Sequence, residues 1–358
     1  MMHTRHSRVI IDLEAIRFNY QYLKNIAIDS KVIAVIKADA YGHGSVEVAQ
    51  ALPEADAFAV ATVAEALVLR EASIPHKIIV LGGPVNLQEM QLCFEQRLDP
   101  VVHQLWQLDL LQACRDQQPV DVWVKFNSGM GRLGFSTHHM DEVIERLNKI
   151  ASVDEIRLMT HLANADDVED MKSGEQIEQV SQLGLNDYEW GIANSAGILG
   201  WPVSQRRWVR AGIALYGSDP LLAQEHAGVL RPAMQFQSEI IAVNTRKQGE
   251  RIGYSGLYTC QDDQEIAVVG AGYADGYPRH LMNGHVMVKG QRAEVVGRIS
   301  MDMITIDVSG LDVKPGDEVI LWGSDPLASD IARQSETIPY ELFCHAGCHG
   351  QREYLNKS

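Results

Sequence analysis

The arrangement of apolar residues in the first two-thirds of the chain constrains the fold more than any other feature. Eight short runs rich in β-branched residues alternate with longer segments whose apolar residues repeat with helical spacing. The runs are 31–37, 57–61, 77–81, 98–102, 120–126, 155–161, 188–194 and 208–215. Strands that alternate with helices predict a parallel sheet, and eight such strands close a barrel. The sequence therefore predicts a (β/α)8 barrel of the TIM type.

A different pattern begins after about residue 231. Short apolar runs at 240–243, 266–269, 285–288, 293–298, 303–308 and 318–322 are separated by Gly, Asp and Pro turns. This pattern predicts a separate, mainly antiparallel β domain. We place the barrel at residues 8–228 and the β domain at 229–358, with residues 1–7 as a candidate addition to the β domain. Two domains suit a chain of 358 residues.

Charge and cysteine usage limit the classes of partner and compartment. The 31 Lys and Arg against 47 Asp and Glu give a net charge of −16, which disfavours nucleic acid and anionic lipid. Five scattered cysteines fit a reducing compartment better than a disulfide framework. The start, MMHTRHSRVIID, lacks the apolar segment of a secretory signal, and residues 57–69 are too short to span a bilayer. We predict a cytoplasmic protein with no nucleic-acid or membrane partner.

Lys37 stands at the end of the first apolar run, in the segment AVIKADAYGHG. In a barrel, the carboxyl ends of the strands form the mouth where catalytic side chains cluster. An amine that loses solvation there has a lowered pKa and becomes available to a carbonyl compound. From position alone, a lysine that only marks the polar end of the strand is the commoner interpretation.

A second candidate site follows the seventh and eighth predicted strands. The segment Asn194–Gly197 comes after one, and the segment Arg210–Ile213 ends the other. Loops in these places commonly bind phosphate through hydroxyls and backbone N–H groups. We expect Ser195 to cap the following helix and Gly212 to let the backbone approach a ligand. A cap and a turn glycine without a ligand are the alternative.

Six motifs occur in order along the chain: AVIKADAYGHG, KFNSGMGRLGF, ANSAG, RAGIALYG, GYADGYPR and GRISMDM. Together they resemble the motifs of bacterial alanine racemases, and the resemblance covers nearly the whole chain. It implies an isomerase that interconverts L-alanine and D-alanine with pyridoxal 5′-phosphate. Such an enzyme supplies D-alanine for peptidoglycan or consumes it in catabolism.

The resemblance also implies the cofactor site. Lys37 would hold the cofactor covalently, Arg210 would face its pyridine nitrogen, and His161 would hydrogen-bond Arg210. An arginine stays charged and disfavours protonation of that nitrogen, which argues for proton exchange at Cα only. The remaining cofactor-binding residues implied are Tyr41, Asn194, Ser195, Gly212 and Ile213.

Racemisation requires proton transfer on both faces of Cα, which one lysine cannot reach. The resemblance supplies Tyr254 as the second catalytic residue, with Lys37 acting on the D-enantiomer and Tyr254 on the L-enantiomer. In this family the tyrosine comes from a second copy of the chain. The resemblance therefore implies a homodimer whose active sites are shared across the interface.

The substrate carboxylate also has implied partners. Arg132 would neutralise it, and Met301 from the second copy would offer its backbone N–H. Lys125, seven residues before Arg132, is at the position that is often carbamylated in relatives. A carbamate there would hold Arg132, whereas an unmodified lysine would repel it.

The chain departs from the family pattern in two places. Cys348 stands where the family has a phosphate-contacting tyrosine, for which Tyr354 is only a distant substitute, and Ser255 stands where the family has glycine. The tail also places Cys344 and His345 near Cys348 and His349. We predict no metal site there, because the set lacks a C-x2-C signature.

Three other functions are weighed against this one. A broad-specificity amino-acid racemase of the same fold is the main alternative, although such relatives are typically exported. A basic amino-acid decarboxylase would need an acidic partner for the pyridine nitrogen, which RAGIALYG does not offer. A pyridoxal-phosphate carrier protein usually ends after the barrel.

Overall fold

The computed structural model describes residues 5–281, 283–348 and 350–357. They form two compact units. The barrel unit consists of residues 16–40 and 44–230, and the β unit consists of residues 5–15, 41–43 and the described residues from 231 onward.

The first described elements are the strand β1 (Arg8–Asp12) and the helix α1 (Leu13–Ile26). The Asp12 carboxylate accepts the Glu14 N–H at 2.9 Å, which caps the helix. Leu13, Ile16 and Leu23 are buried on one helix face. The chain is therefore helical directly after Asp12.

Eight parallel strands close the barrel in chain order, with β2 paired to β9. They are β2 (Lys31–Val35), β3 (Ala57–Val60), β4 (Ile78–Val80), β5 (Asp99–Val102), β6 (Val120–Lys125), β7 (Val153–Met159), β8 (Glu189–Gly191) and β9 (Trp208–Ala211). Each strand overlaps one predicted run, so the predicted (β/α)8 barrel is confirmed. The strands are buried because helices cover them outside and side chains fill the interior.

The elements that connect these strands are helices, except that α2 is a short turn. They are α2 (Lys37–Tyr41), α3 (Ser45–Ala51), α4 (Val63–Glu71), α5 (Leu87–Glu95), α6 (Leu105–Ala113), α7 (Thr137–Leu147), α8 (Lys172–Gln182) and α9 (Ser195–Gly200). Thr62 caps α4 and Asn86 caps α5, each through a side-chain oxygen. Short 3₁₀ turns at Pro202–Ser204 and Ile213–Tyr216 flank β9.

Salt bridges and aromatic rings fill the amino-terminal end of the barrel. Arg157 pairs with Asp121 at 2.5 Å and with Glu189 at 3.0 Å. The Trp123 and Trp208 rings meet edge-to-face at 5.7 Å beside this cluster. A barrel closed in this way is a packed core and not a pore.

The β unit is built on one mainly antiparallel sheet. Its later elements are β10 (Met234–Arg246), β11 (Arg251–Ile252), β12 (Tyr258–Thr259), β13 (Gln264–Val269), β14 (His285–Val288), β15 (Gln291–Val295), β16 (Ile304–Asp307), β17 (Glu318–Trp322), α10 (Ala328–Gln334), α11 (Pro339–His345) and β18 (Gln351–Leu355). The sheet order is β13-β16-β15-β14-β17-β10-β1-β18, and β10 also pairs with β13. The predicted antiparallel β domain is confirmed.

The boundary predicted at residue 8 is wrong for Arg8–Ala15. Strand β1 pairs antiparallel with β10 and parallel with β18, so it belongs to the sheet of the β unit. Residues 41–43 also group with the β unit. At Gly42 an added Cβ would lie 2.1 Å from the Phe343 carbonyl oxygen, so only glycine allows this close approach. Over the described ranges, no helix has the length and apolar character needed to cross a membrane.

Candidate functional site

Lys37 opens a turn with an unusual backbone. Ala38, Asp39 and Ala40 have φ values of 51°, 51° and 54°, the left-handed region that glycine normally occupies. Each such residue costs roughly 1–2 kcal/mol and persists only where its surroundings hold it. The Glu65 carboxylate accepts the Ala38 N–H at 2.8 Å, and the Asp39 carboxylate accepts the Ser45 N–H at 2.7 Å. Strain held in this way is typical of a functional site.

Arg210 is buried in β9 and faces backbone carbonyls. Its Nη1 donates to Gly191 O at 2.6 Å, and its Nη2 donates to Thr160 O at 2.6 Å and Ile192 O at 3.1 Å. Its Nε–H has no acceptor among the residues that the structure describes. Burial lowers the pKa of Arg210 to about 10, so the guanidinium stays charged at neutral pH. A charged donor is thus left for a ligand.

His161 lies beside this guanidinium, as expected from the resemblance. Its Nδ1 is 3.4 Å from Arg210 Nη2. Burial, followed by the charge of Arg210, lowers the pKa of His161 well below its usual value. The imidazole is therefore neutral at pH 7, and its Nδ1 can accept the arginine hydrogen.

Lys125 is the last residue of β6 and is buried next to other cations. Burial lowers its pKa to about 8, with further lowering by the charges of Arg210, Arg132 and Lys37. Arg132 lies in the exposed loop after β6, where the Asn127 side-chain oxygen Oδ1 accepts the Gly131 N–H at 2.9 Å. The structure thus brings Lys37, Lys125, Arg132, His161 and Arg210 close enough for their charges to interact. This set of basic groups suits anionic ligands.

The segments after β8 and β9 meet at Ser195. Its Oγ accepts the Gly212 N–H at 2.8 Å and the Ala214 N–H at 3.4 Å. The Ser195 hydroxyl hydrogen has no acceptor within the described ranges, so it can donate to an anion. Ile213 is buried and begins the 3₁₀ turn that follows Gly212. These groups fit a phosphate.

The expectation that Ser195 caps the following helix is wrong. Asn194 is the cap, because its side-chain oxygen accepts the Gly197 N–H at 2.9 Å. Ser195 is the first helical residue, which leaves its hydroxyl for Gly212. The structure therefore gives the Asn194 oxygen a capping role.

Tyr41 ends the left-handed turn and is grouped with the β unit. Its ring lies 5.8 Å from that of Tyr340, centroid to centroid. Burial raises the pKa of the Tyr41 phenol well above its usual value. The hydroxyl is therefore neutral and can donate a hydrogen bond.

Comparison with known proteins decides the family. The alanine racemase N-terminal domain matches residues 11–220, and the alanine racemase C-terminal domain matches residues 233–354. The chain belongs to the alanine racemase family. An alanine racemase from Pseudomonas taetrolens is 42% identical over 347 residues, covering 95% of this chain and 97% of the relative. A catabolic alanine racemase from Pseudomonas putida has the same identity and coverage.

Solved structures of alanine racemases match both units. The biosynthetic alanine racemase from Pseudomonas aeruginosa superposes with a TM-score of 0.95 at 37% identity, covering 99% of this chain and 100% of that one. An alanine racemase from Bartonella henselae, described with covalently bound pyridoxal phosphate, has a TM-score of 0.88 at 28% identity, covering 98% and 99%. The racemase resemblance read from the motifs is confirmed.

Tyr254 and Met301 lie on the β unit of this racemase fold, and their side chains are exposed by 61% and 52%. The Arg279 guanidinium carbon is 5.9 Å from the centroid of the Tyr254 ring. Ser255 has a φ of 62°, a backbone conformation that glycine adopts more readily than serine. Both side chains are therefore presented to a partner or to solvent.

Cys348 and Tyr354 lie in different parts of the C-terminal segment. The Cys348 thiol donates to the Ala274 carbonyl at 3.2 Å. Tyr354 lies in β18, opposite Ile11 of β1. Among the described residues no group of three metal-ligating side chains is found, and His349 lies outside them.

Sequence reasoning missed the polar side chains that support the site. The buried Gln176 donates to His161 O at 3.0 Å and to Ser128 Oγ at 3.1 Å. Ser128 in turn bonds the Thr160 hydroxyl at 2.7 Å. A polar residue on the apolar face of α8 was the signal that could have identified Gln176.

Proposed function

We propose that this chain interconverts L-alanine and D-alanine with pyridoxal 5′-phosphate as cofactor. The observation that carries the proposal is the buried, charged Arg210, with one donor unused, beside a group of basic side chains that includes Lys37. When bound, the cofactor delocalises the electron pair left at Cα, which makes the α-proton removable.

The proposed cofactor contacts divide into three groups. Lys37 Nζ would hold the cofactor covalently. The Tyr41 and Ser195 hydroxyls and the Ile213 N–H would hold its phosphate, Gly212 would position the Ser195 hydroxyl through its N–H, and Asn194 caps the helix that presents Ser195. Arg210 would be the partner of the pyridine nitrogen, with His161 hydrogen-bonded to Arg210.

Arg210 sets the reaction type in this proposal. A cation that cannot accept a proton would leave the cofactor nitrogen beside it unprotonated, so electron withdrawal from Cα would be moderate. Proton return to Cα would then be faster than side reactions such as transamination. An aspartate at this position, as a decarboxylase would need, would favour protonation of that nitrogen and stronger electron withdrawal from Cα.

Two opposed groups move the proton. Lys37 Nζ, once the substrate amine has displaced it from the cofactor, would take the proton from D-alanine, and Tyr254 Oη, supplied by a second copy of the chain, would take it from L-alanine. Each group would deliver a proton to its own face of Cα, opposite the face from which the other had removed one, so the configuration inverts. Because Tyr254 lies on the exposed surface of the β unit, the active form is proposed to be a homodimer with shared sites.

The substrate carboxylate has two proposed partners. Arg132 neutralises its charge, and the Met301 N–H of the second copy donates to it. Lys125 is proposed to carry a carbamate, because an ammonium beside Arg132 would repel it.

The compartment is proposed to be the cytoplasm. Five cysteines scattered along the sequence suit a reducing environment better than a disulfide framework. Relatives named catabolic and biosynthetic both match the chain, and either role is compatible with this site.

Deuterium exchange at Cα tests the two-base assignment. Each alanine enantiomer is incubated in D2O with the holoenzyme, and with Tyr254→Phe. Removing the phenol should suppress exchange from L-alanine by about 10²-fold or more, with a smaller loss from D-alanine. Equal residual exchange from both enantiomers would contradict the role of Tyr254.

Two alternative functions can be tested by measuring which amino acids the protein racemises. A broad-specificity racemase would turn over serine and lysine at rates near that of alanine, whereas a site for one methyl group rejects them by steric clash. A carrier protein would hold the cofactor and leave optically pure L-alanine unchanged.

A further inference from the structure

The loop that carries Met301 is attached to a neighbouring turn of the β unit. This loop, residues 296–303, joins β15 to β16. The Tyr273 N–H donates to Ser300 O at 3.1 Å, and the Ala274 N–H donates to Met301 O at 3.0 Å. At Gly272 an added Cβ would lie 2.3 Å from Met301 O, so only glycine allows this contact.

Asp275 closes that turn and is fully buried. One carboxylate oxygen accepts the Gly272 N–H at 3.0 Å, and the other accepts the Ser7 hydroxyl at 2.8 Å. A buried carboxylate needs a nearby cation. Arg5 Nη1 is 3.7 Å from Asp275 Oδ2 and provides it.

The same Arg5 nitrogen donates a hydrogen bond to Asp302, the residue after Met301. The Arg5 side chain is 27% exposed and that of Asp302 is 50% exposed. One guanidinium therefore links the buried carboxylate of the turn to the exposed carboxylate of the loop. Both carboxylates raise the pKa of Arg5, Asp302 first.

We infer that Arg5 is a positioning residue for the substrate carboxylate, acting through Asp302 on the Met301 loop. The inference rests on the proposed function, in which the Met301 N–H meets that carboxylate. An unpaired Asp302 next to this N–H would repel the substrate carboxylate. Arg5 both neutralises Asp302 and fixes the loop to the turn around Asp275.

Because the substrate carboxylate is bound equally in the ground state and the transition state, Arg5 affects KM and not kcat. We expect Arg5→Gln to raise KM for both alanine enantiomers about tenfold, with kcat within about twofold. The matched control is Arg8→Gln, because Arg8 lies on the same segment but pairs with the exposed Glu318 at 2.9 Å. Its KM should equal that of the wild type.

A double-mutant cycle tests whether Arg5 acts through Asp302. Steady-state KM is measured for wild type, Arg5→Gln, Asp302→Asn and the double variant, each saturated with cofactor. The effect of Arg5→Gln should fall from about tenfold to below about threefold in the Asp302→Asn background. An equal effect in both backgrounds, or a loss confined to kcat, overturns the inference.

The outcomes separate this inference from the proposed function. A wild-type holoenzyme that does not racemise alanine rejects the function, whereas an active wild type and an Arg5→Gln variant with normal KM reject only the inference. Should Arg5→Gln not fold, Arg5→Lys keeps the positive charge but lacks the planar fork. A raised KM in Arg5→Lys then supports the inference, and an unchanged KM overturns it.

Discussion

At the scale of single residues, the basic cluster of the barrel unit is unusual in a chain of net charge −16. Arg210 donates hydrogen bonds to His161 Nδ1 and to backbone carbonyls, and among the described residues no carboxylate side chain bonds Arg210. Burial, and then the charges of its cationic neighbours, lower the pKa of Lys125 to about 8, which makes roughly a tenth of its amines neutral at pH 7.

A neutral amine at Lys125 can react with carbon dioxide, so we expect a carbamate on this side chain. Intact mass measured under native conditions with bicarbonate should show the added carboxyl group. The carbamate should disappear on acidification, since protonation of the amine drives its loss. Lys125→Glu, which supplies an anion, should keep KM within about threefold of wild type, whereas Lys125→Ala should raise it about tenfold.

Two results would contradict the carbamate. One is an unmodified ammonium at Lys125 that makes no contact with Arg132 in a crystal grown with bicarbonate. The other is equal KM for Lys125→Glu and Lys125→Ala, which would show that no anion is needed there.

At the scale of elements, the turn α2 depends on a side chain from another element. Glu65 of α4 accepts the Ala38 N–H at 2.8 Å and the Ala61 N–H at 2.6 Å. It thereby holds the end of β2 against the end of β3 and fixes the left-handed residues that follow Lys37. A change at Glu65 should therefore affect the step that Lys37 performs.

We expect Glu65→Gln to lower kcat about tenfold with little change in KM, because the amide nitrogen would face an N–H group. The matched control is Glu89→Gln. Glu89 holds the same position in α5 and accepts the Val85 N–H at 3.0 Å, away from Lys37. Steady-state kinetics of both variants check this, and equal losses of kcat would show a general effect of capping.

The sequence predicted the barrel strands because buried parallel strands are continuous apolar runs. It did not predict β1 or β18, since RVIID and QREYL are short segments with mixed polarity. The structure has Asn194 as the helix cap where the sequence predicted Ser195, a one-residue difference that backbone geometry alone decides. Lys37, Arg210 and Ser195 were found through their motifs, whereas Glu65, Gln176 and Arg5 act through contacts between distant segments.

At the scale of the whole molecule, the amino-terminal end of the barrel combines two carboxylates with opposite behaviour. Burial raises the pKa of Asp99 to about 7. For Asp121, hydrogen bonds from Lys77 and Arg157 outweigh burial and lower the pKa. The two groups therefore give the free energy of unfolding opposite dependences on pH.

Asp99 binds its proton more tightly in the folded state, so it lowers stability as pH rises from about 4 to about 7. We expect Asp99→Asn to be more stable than wild type at pH 8, by up to about 4 kcal/mol, and similar to it near pH 4. Asp121→Asn should be less stable than wild type, and its loss in free energy of unfolding should be largest at neutral pH. Denaturant unfolding at several pH values measures the stability of both variants. If the difference in stability between Asp99→Asn and wild type did not depend on pH, the raised pKa of Asp99 would be contradicted.

The pairing of β1 with β18 has a consequence for biosynthesis. Strand β1 is translated first but lies between β10 and β18, its neighbours in the sheet. The barrel segment can already fold before either neighbour of β1 has been synthesised. Completion of the β unit, and of any dimer built on it, therefore waits for the synthesis of β18.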